Sequence, residues 1–183
     1  MILVWVLSAI VVLILLTLII YYNRFIVLEN RIDNSLAQID VQLKKRAELV
    51  PNLINTVKGY AKHEKSIMSD VTEARKHLLS AKTIEGKMKA GQELQNALKS
   101  IFAIAENYPQ LKANENFLHL QQELSAIEDK IAYARQSYND SILSYNNSVE
   151  QFPGVMFANL YSKHEKPMLK IPEELKAVPK VEF

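Results

Sequence analysis

Apolar and polar positions follow two patterns along this chain, first an unbroken apolar run and then a helical stripe. Residues 2–20, ILVWVLSAIVVLILLTLII, carry no charge, proline or glycine, and only Ser8 and Thr17 soften them. As a helix the run rises ~28 Å, close to the ~30 Å hydrocarbon core of a bilayer. Trp5 lies near one end, and Tyr21 and Tyr22 lie at the other, where amphipathic rings favour the membrane–water boundary. The pattern predicts a retained transmembrane anchor over residues 1–22. A cleaved signal would need a basic leader and small residues at the cut. Here nothing basic precedes the run, and bulky Tyr21, Tyr22 and Phe25 follow it.

From Phe25 onward the apolar positions recur at spacings of three and four. Phe25, Leu28, Ile32, Leu36, Ile39 and Leu43 make one stripe, and no breaker separates Ile20 from Phe25. The membrane helix is therefore expected to run on. Pro51 is expected to open a second helix, because proline suits a first turn; the alternative is a kink in one continuous helix. Ile54, Val57, Ala61, Met68, Val71 and Leu78 continue the stripe beyond it. A third helix is predicted from Ile84 to Asn107, with Thr83 as its N-cap and Pro109 closing it. The fourth carries Phe117, Leu120, Leu124, Ile127, Ile131, Ala134, Tyr138, Tyr145 and Phe152 on a coiled-coil-like spacing, stopped by Pro153-Gly154.

No window shows the alternation of a strand. The expected class is all-α, an N-terminal transmembrane helix followed by an antiparallel four-helix bundle of long helices over residues 23–154. Residues 155–183 read as a short amphipathic segment and a tail with Pro167, Pro172 and Pro179, expected to be extended or disordered.

Charge narrows the function classes. The chain has 22 Lys+Arg against 20 Asp+Glu, so it is no polycation seeking nucleic acid. Lys44 to Lys89 hold 11 basic and 5 acidic residues, a net of +6, whereas Glu106 to Glu150 hold 3 basic and 7 acidic, a net of −4. That division reads as packed helices neutralising one another, with a basic surface toward anionic lipid or a partner as the sharper reading. Arg24 and Arg31 follow the apolar run, which puts the body in the cytoplasm and the N-terminus outside, on the cell (inner) membrane. The absence of cysteine removes disulfides and an acylated lipoprotein anchor.

Catalytic patterns are scarce. His63, His77, His119 and His164 have no partner at zincin spacing, and no glycine-rich phosphate loop occurs. A non-enzymatic protein is expected, with no cofactor, no metal site and no small-molecule substrate. Asp33 and Asp40 are seven apart, as are Asn139 and Asn146, so each pair repeats on one helix face. Asp40, Arg46, Asn52, Asn139 and Asn146 are expected to form a satisfied polar core that fixes register, the two later asparagines through interhelical hydrogen bonds. Val155, Met156, Phe157, Leu160 and Tyr161 are the candidate interaction patch, returned to the bilayer if four helices alternate in direction.

At these residues the chain resembles a known family. The run NRIDNSLAQIDVQLKKRAELVPNLINTVKGYAKHE, Asn30 to Glu64, is similar to the signature of the LemA family of bacterial membrane-anchored proteins. YPQLKANENF, RQSYNDSILSYN and QFPG, between Tyr108 and Gly154, resemble that family's second block. The likeness covers residue 1 to about 161. Two departures are Leu36, where an aromatic is frequent, and Leu160-Tyr161, where Gly-Phe is frequent. The resemblance implies a single-pass membrane protein with a helical soluble part and no catalytic residues to carry over. It suggests a scaffold or adaptor of the cell envelope, associated with membrane-protein quality control, working with a protein partner or as a homo-oligomer. The alternative is a lipid-binding or membrane-remodelling module.

Overall fold

A computed structural model describes residues 1–61 and 63–169; Pro172 and Pro179 of the expected tail lie outside the described residues. In chain order the helices are α1 (Ile2–Lys58), α2 (Lys65–Ser80), α3 (Ile84–Ala105), α4 (Pro109–Lys112), α5 (Glu115–Glu150) and α6 (Gly154–Leu160). No strand occurs among the described residues. The chain divides into two compact units. The first is Met1–Ser35 with the chain from Gln136 on, and the second is Leu36–Arg135.

Pro51 does not start a helix. It lies inside α1, which ends at Lys58, and α2 begins at Lys65. Proline has no N–H for the carbonyl four residues back, so the helix should leave the Ala47 oxygen without its partner. In the second unit Arg75 Nε of α2 donates to that oxygen at 2.8 Å. A side chain from the next helix supplies the missing donor, and α1 continues.

The same bond fixes the direction of α2 against α1. Ala47 and Arg75 stand about equally far from the intervening turn, so the two helices are antiparallel. His77 Nδ1 approaches Glu93 of α3 at 3.5 Å, and the rings of Phe102 and Phe117 lie 6.0 Å apart, so each later pair also folds back as a hairpin. Thr83 caps α3 as expected, its Oγ1 accepting from Gly86 N at 3.1 Å. The core of this unit buries Leu43, Val50, Leu53, Val71, Leu94, Ile101, Phe117, Leu124 and Ile131. Gly91 lets α3 approach α1 closely, since a Cβ there would sit 2.9 Å from Leu43 Cδ2. Leu124→Ala and Ile131→Ala should each cost about 2–5 kcal/mol, because neither cavity can collapse fully. Thermal melts of the full chain in detergent check this. A shift no larger than that of Lys99→Ala, an exposed control, would remove these residues from the core.

The first unit pairs the first part of α1 with the last part of α5. Phe25 meets Tyr145 with ring centroids 6.4 Å apart, and Ser35 Oγ lies 3.2 Å from Ser141 Oγ, so these stretches are antiparallel as well. Phe25, Leu28, Ile32, Tyr138, Ile142, Tyr145 and Val149 are buried between them. Phe152 leaves the stripe predicted for it: α5 stops at Glu150, and Phe152 is 80% exposed. Residues 2–20 are exposed along their length, Thr17 and Leu18 being only half-covered. Among the described residues α1 is the one helix long and apolar enough to cross a membrane. A helix apolar all round and uncovered by protein is suited to hydrocarbon.

Candidate functional site

The interaction patch expected at residues 155–161 divides into two faces within the first unit. Pro153 and Gly154 open α6, which turns Ala158 inward and buries it. Phe157 stacks on Tyr21 of α1 with centroids 4.8 Å apart, and Tyr161 sets its ring edge-on to Tyr22 at 5.4 Å. The Tyr161 hydroxyl donates to the Leu18 carbonyl at 3.1 Å, a carbonyl inside the apolar run. Phe157 and Tyr161 are therefore anchors. Val155 is 36% exposed, Met156 62% and Leu160 64%, so these three form the outward face.

Gly154 explains how α6 comes so close. A Cβ on it would overlap the Ser148 carbonyl and lie 3.3 Å from Tyr21 Cε1. At the other end Ser162 adopts a left-handed φ of 53°, and Lys163 N donates to Ala158 O at 2.9 Å. This left-handed cap, a place glycine normally fills, turns the chain out of the helix.

Beyond that turn the chain runs without helix along α5, and here the two asparagines find their partners. Asn146 Oδ1 accepts from Lys166 N at 2.9 Å while its Nδ2 donates to Lys166 O at 2.9 Å. Asn139 does the same for Leu169, at 2.9 Å and 3.1 Å. The interhelical bonds expected from their spacing are not formed; both side chains hold the backbone of the C-terminal segment instead. An amide side chain offers the same donor and acceptor as a peptide group, which suits it to extended chain.

Glu29 of α1, which the sequence did not single out, gathers the charges of this segment. Lys163 Nζ donates to both of its oxygens, at 2.9 and 2.8 Å, and Lys166 Nζ lies 3.8 Å away. Lys166 also sits 5.1 Å from the centroid of the Tyr145 ring. Burial first, then the charge of Glu29 and the hydrogen bond to it, push the Tyr145 phenol up from its ordinary value, so it stays a neutral donor.

The other expected polar residues lie in the second unit and do different things. Arg46 is buried, pairs through Nη2 with Glu128, and donates from Nη1 to Gly91 O at 3.2 Å. Desolvation lowers its pKa to about 10, which leaves it charged at neutral pH. Asp40 is partly exposed and binds Lys87 Nζ at 2.6 Å. Asn52 is exposed, and Thr56 Oγ1 donates to its backbone carbonyl at 2.9 Å. It does not belong to a polar core, because its position on α1 faces solvent while Leu53 and Ile54 beside it turn inward. Glu128 and Lys87 were legible only as members of the acidic and basic stretches. Among the described residues no group of three or more His, Asp or Glu side chains could hold a metal ion.

Comparison with known proteins adds a family. The model of the LemA family matches residues 35–183. The chain is 28% identical over 183 residues to the magnetosome protein MamQ of Magnetospirillum gryphiswaldense, covering 82% of this chain and 67% of that protein. It is 25% identical to the magnetosome protein MamQ 2 of Paramagnetospirillum magneticum, covering 75% and 60%. To the protein LemA of Metamycoplasma hominis it is 27% identical, covering 68% and 57%. The chain thus spans about two thirds or less of the length of these relatives.

Proposed function

We propose that this chain, which belongs to the LemA family, is a non-enzymatic, single-pass scaffold or adaptor of the bacterial cell envelope that presents α6 to a membrane-protein partner. Membrane association and the helical architecture are its shared ground with the family; the adaptor role, a link to quality control, and a body facing the cytoplasm are our reading. The observation that carries it is the division of α6. Phe157 and Tyr161 hold the helix against α1, Ala158 is buried, and Val155, Met156 and Leu160 face outward, the last two mostly uncovered. A short helix fixed that firmly, with outward apolar side chains, has the form of an interaction surface.

The bond from Tyr161 to Leu18 also favours a second reading. Its acceptor belongs to the apolar run, so in a bilayer α6 would lie at the headgroup boundary, where its outward side chains could enter lipid. One experiment separates the two. A photo-crosslinking amino acid at Met156 of the full chain, irradiated in living cells, is expected to give a discrete protein adduct. The same group at Tyr133, 72% exposed in the second unit, should not give that adduct. Adducts confined to lipid would support the second reading and sink the first. Identical patterns from both positions would remove α6 from either.

A further inference from the structure

Asn139 and Asn146 grip the backbone of residues 166 and 169, and the spacing has a geometric cause. Two turns of α-helix advance ~10.5 Å, while three residues of polyproline-like chain advance ~9.3 Å and return to the same side. An extended segment running antiparallel to α5 therefore meets, at every third residue, a helix position seven back. Pro167 sits between the two gripped residues. It brings no N–H that would need a partner, and it biases Lys166 away from helix.

Four of the bonds in this contact are to main chain and indifferent to side-chain identity. Selection comes from elsewhere. The carboxylate of Glu29 takes Lys163 and faces Lys166, the Tyr145 ring receives the Lys166 ammonium, and Leu169 is buried. This division between a sequence-blind backbone grip and a few selective pockets is how proteins read extended peptides.

We propose that Glu29, Asn139, Tyr145 and Asn146 form a receptor site for an extended basic peptide. Its ligand has lysines three apart and an apolar side chain three residues further on. Residues 163–169 are the tethered occupant, and a partner protein's segment of the same pattern replaces them. The pattern is that of the segment already seated, and the site's charge is complementary to it. The tether begins at Ser162, whose φ of 53° is relieved when the segment leaves. The site is separate from the outward face of α6 and stands whether or not that face binds a partner.

The test uses the full chain in detergent micelles and a fluorescent peptide, Lys-His-Glu-Lys-Pro-Met-Leu, read by anisotropy. Lys163→Glu with Lys166→Glu sets like charges against Glu29 and should free the site. This variant is expected to bind the peptide roughly tenfold more tightly than the unaltered chain, whose own segment competes. Adding Asn139→Leu and Asn146→Leu should abolish binding. So should methylating the two peptide amides that correspond to Lys166 and Leu169, which removes the two N–H donors to Asn146 and Asn139. No saturable binding to the freed variant, at unchanged helix content, overturns the proposal, as does undiminished binding of the methylated peptide. Should the charge-reversed variant lose helix content, Leu169→Asp frees the site instead, and the same two results decide. If a mixture of the freed variant and the Asn139→Leu/Asn146→Leu variant associates in solution, the result supports the receptor site and names a second copy as the donor.

Discussion

Glu128→Ala should lower the stability of the full chain by about 3–5 kcal/mol, and Arg46→Met should cost clearly less. The asymmetry follows from burial. Arg46 is 2% exposed, so losing Glu128 strands a charged guanidinium that keeps only its bond to Gly91 O. The Glu128 side chain is 39% exposed, so losing Arg46 leaves a carboxylate that can turn to water. Methionine also fills much of the space of the arginine stem, which limits the cavity. The double change Arg46→Met with Glu128→Leu should recover most of what Glu128→Ala loses, because a well-packed apolar pair replaces a buried ionic one at little net cost. Urea unfolding of the three variants is the measurement. Equal losses from the two single changes would mean that the ion pair is solvated from both sides and does not hold the second unit together.

Gly154→Ala should undock α6. The added methyl would overlap the Ser148 carbonyl, which is backbone and cannot swing aside. Overpacking of this kind costs about 1–3 kcal/mol, and here all of it falls on a seven-residue helix. The chain has no cysteine, so Ala158→Cys gives a clean reporter at a position 1% exposed. Its reaction with maleimide should be slow alone and roughly tenfold faster with Gly154→Ala, as expected when local opening becomes easier. Asn159→Ala, on the exposed side, is the control. An unchanged rate would mean that the backbone of α6 can yield without leaving α1.

Helical periodicity makes most of the core legible in the sequence. Phe25, Ile32, Ile39 and Leu43 on α1, and Phe117, Leu124, Ile131 and Tyr145 on α5, are buried as their spacing requires. What could not be read was non-local. Pro51 signals a missing donor, but Arg75, which replaces that donor, lies 24 positions later on another helix. Asn139 and Asn146 repeat visibly every two turns, yet their partner is an extended segment with no periodicity of its own. Glu29 sits between apolar positions like any solvated charge, and only the folding back of Lys163 and Lys166 gives it a role. Patches are read well from sequence in their content and poorly in their facing. Residues 155–161 held both the anchors and the outward side chains, and the local pattern did not divide them.

On the proposed reading, in which residues 2–20 span a bilayer, the unbroken passage of α1 from Ile20 to Phe25 makes bilayer thickness a mechanical input to the first unit. A hydrophobic helix longer than the local hydrocarbon answers by tilting, and a shorter one draws the bilayer in. With a flexible linker that tilt would die out at the surface. Here the helix that tilts is also the one that carries Phe25 and Glu29, and α6 is pinned to it through Leu18, so lever and sensor are a single piece. A thinner or thicker membrane would therefore change the angle at which the outward side chains of α6 meet their surroundings, with no rearrangement inside the unit.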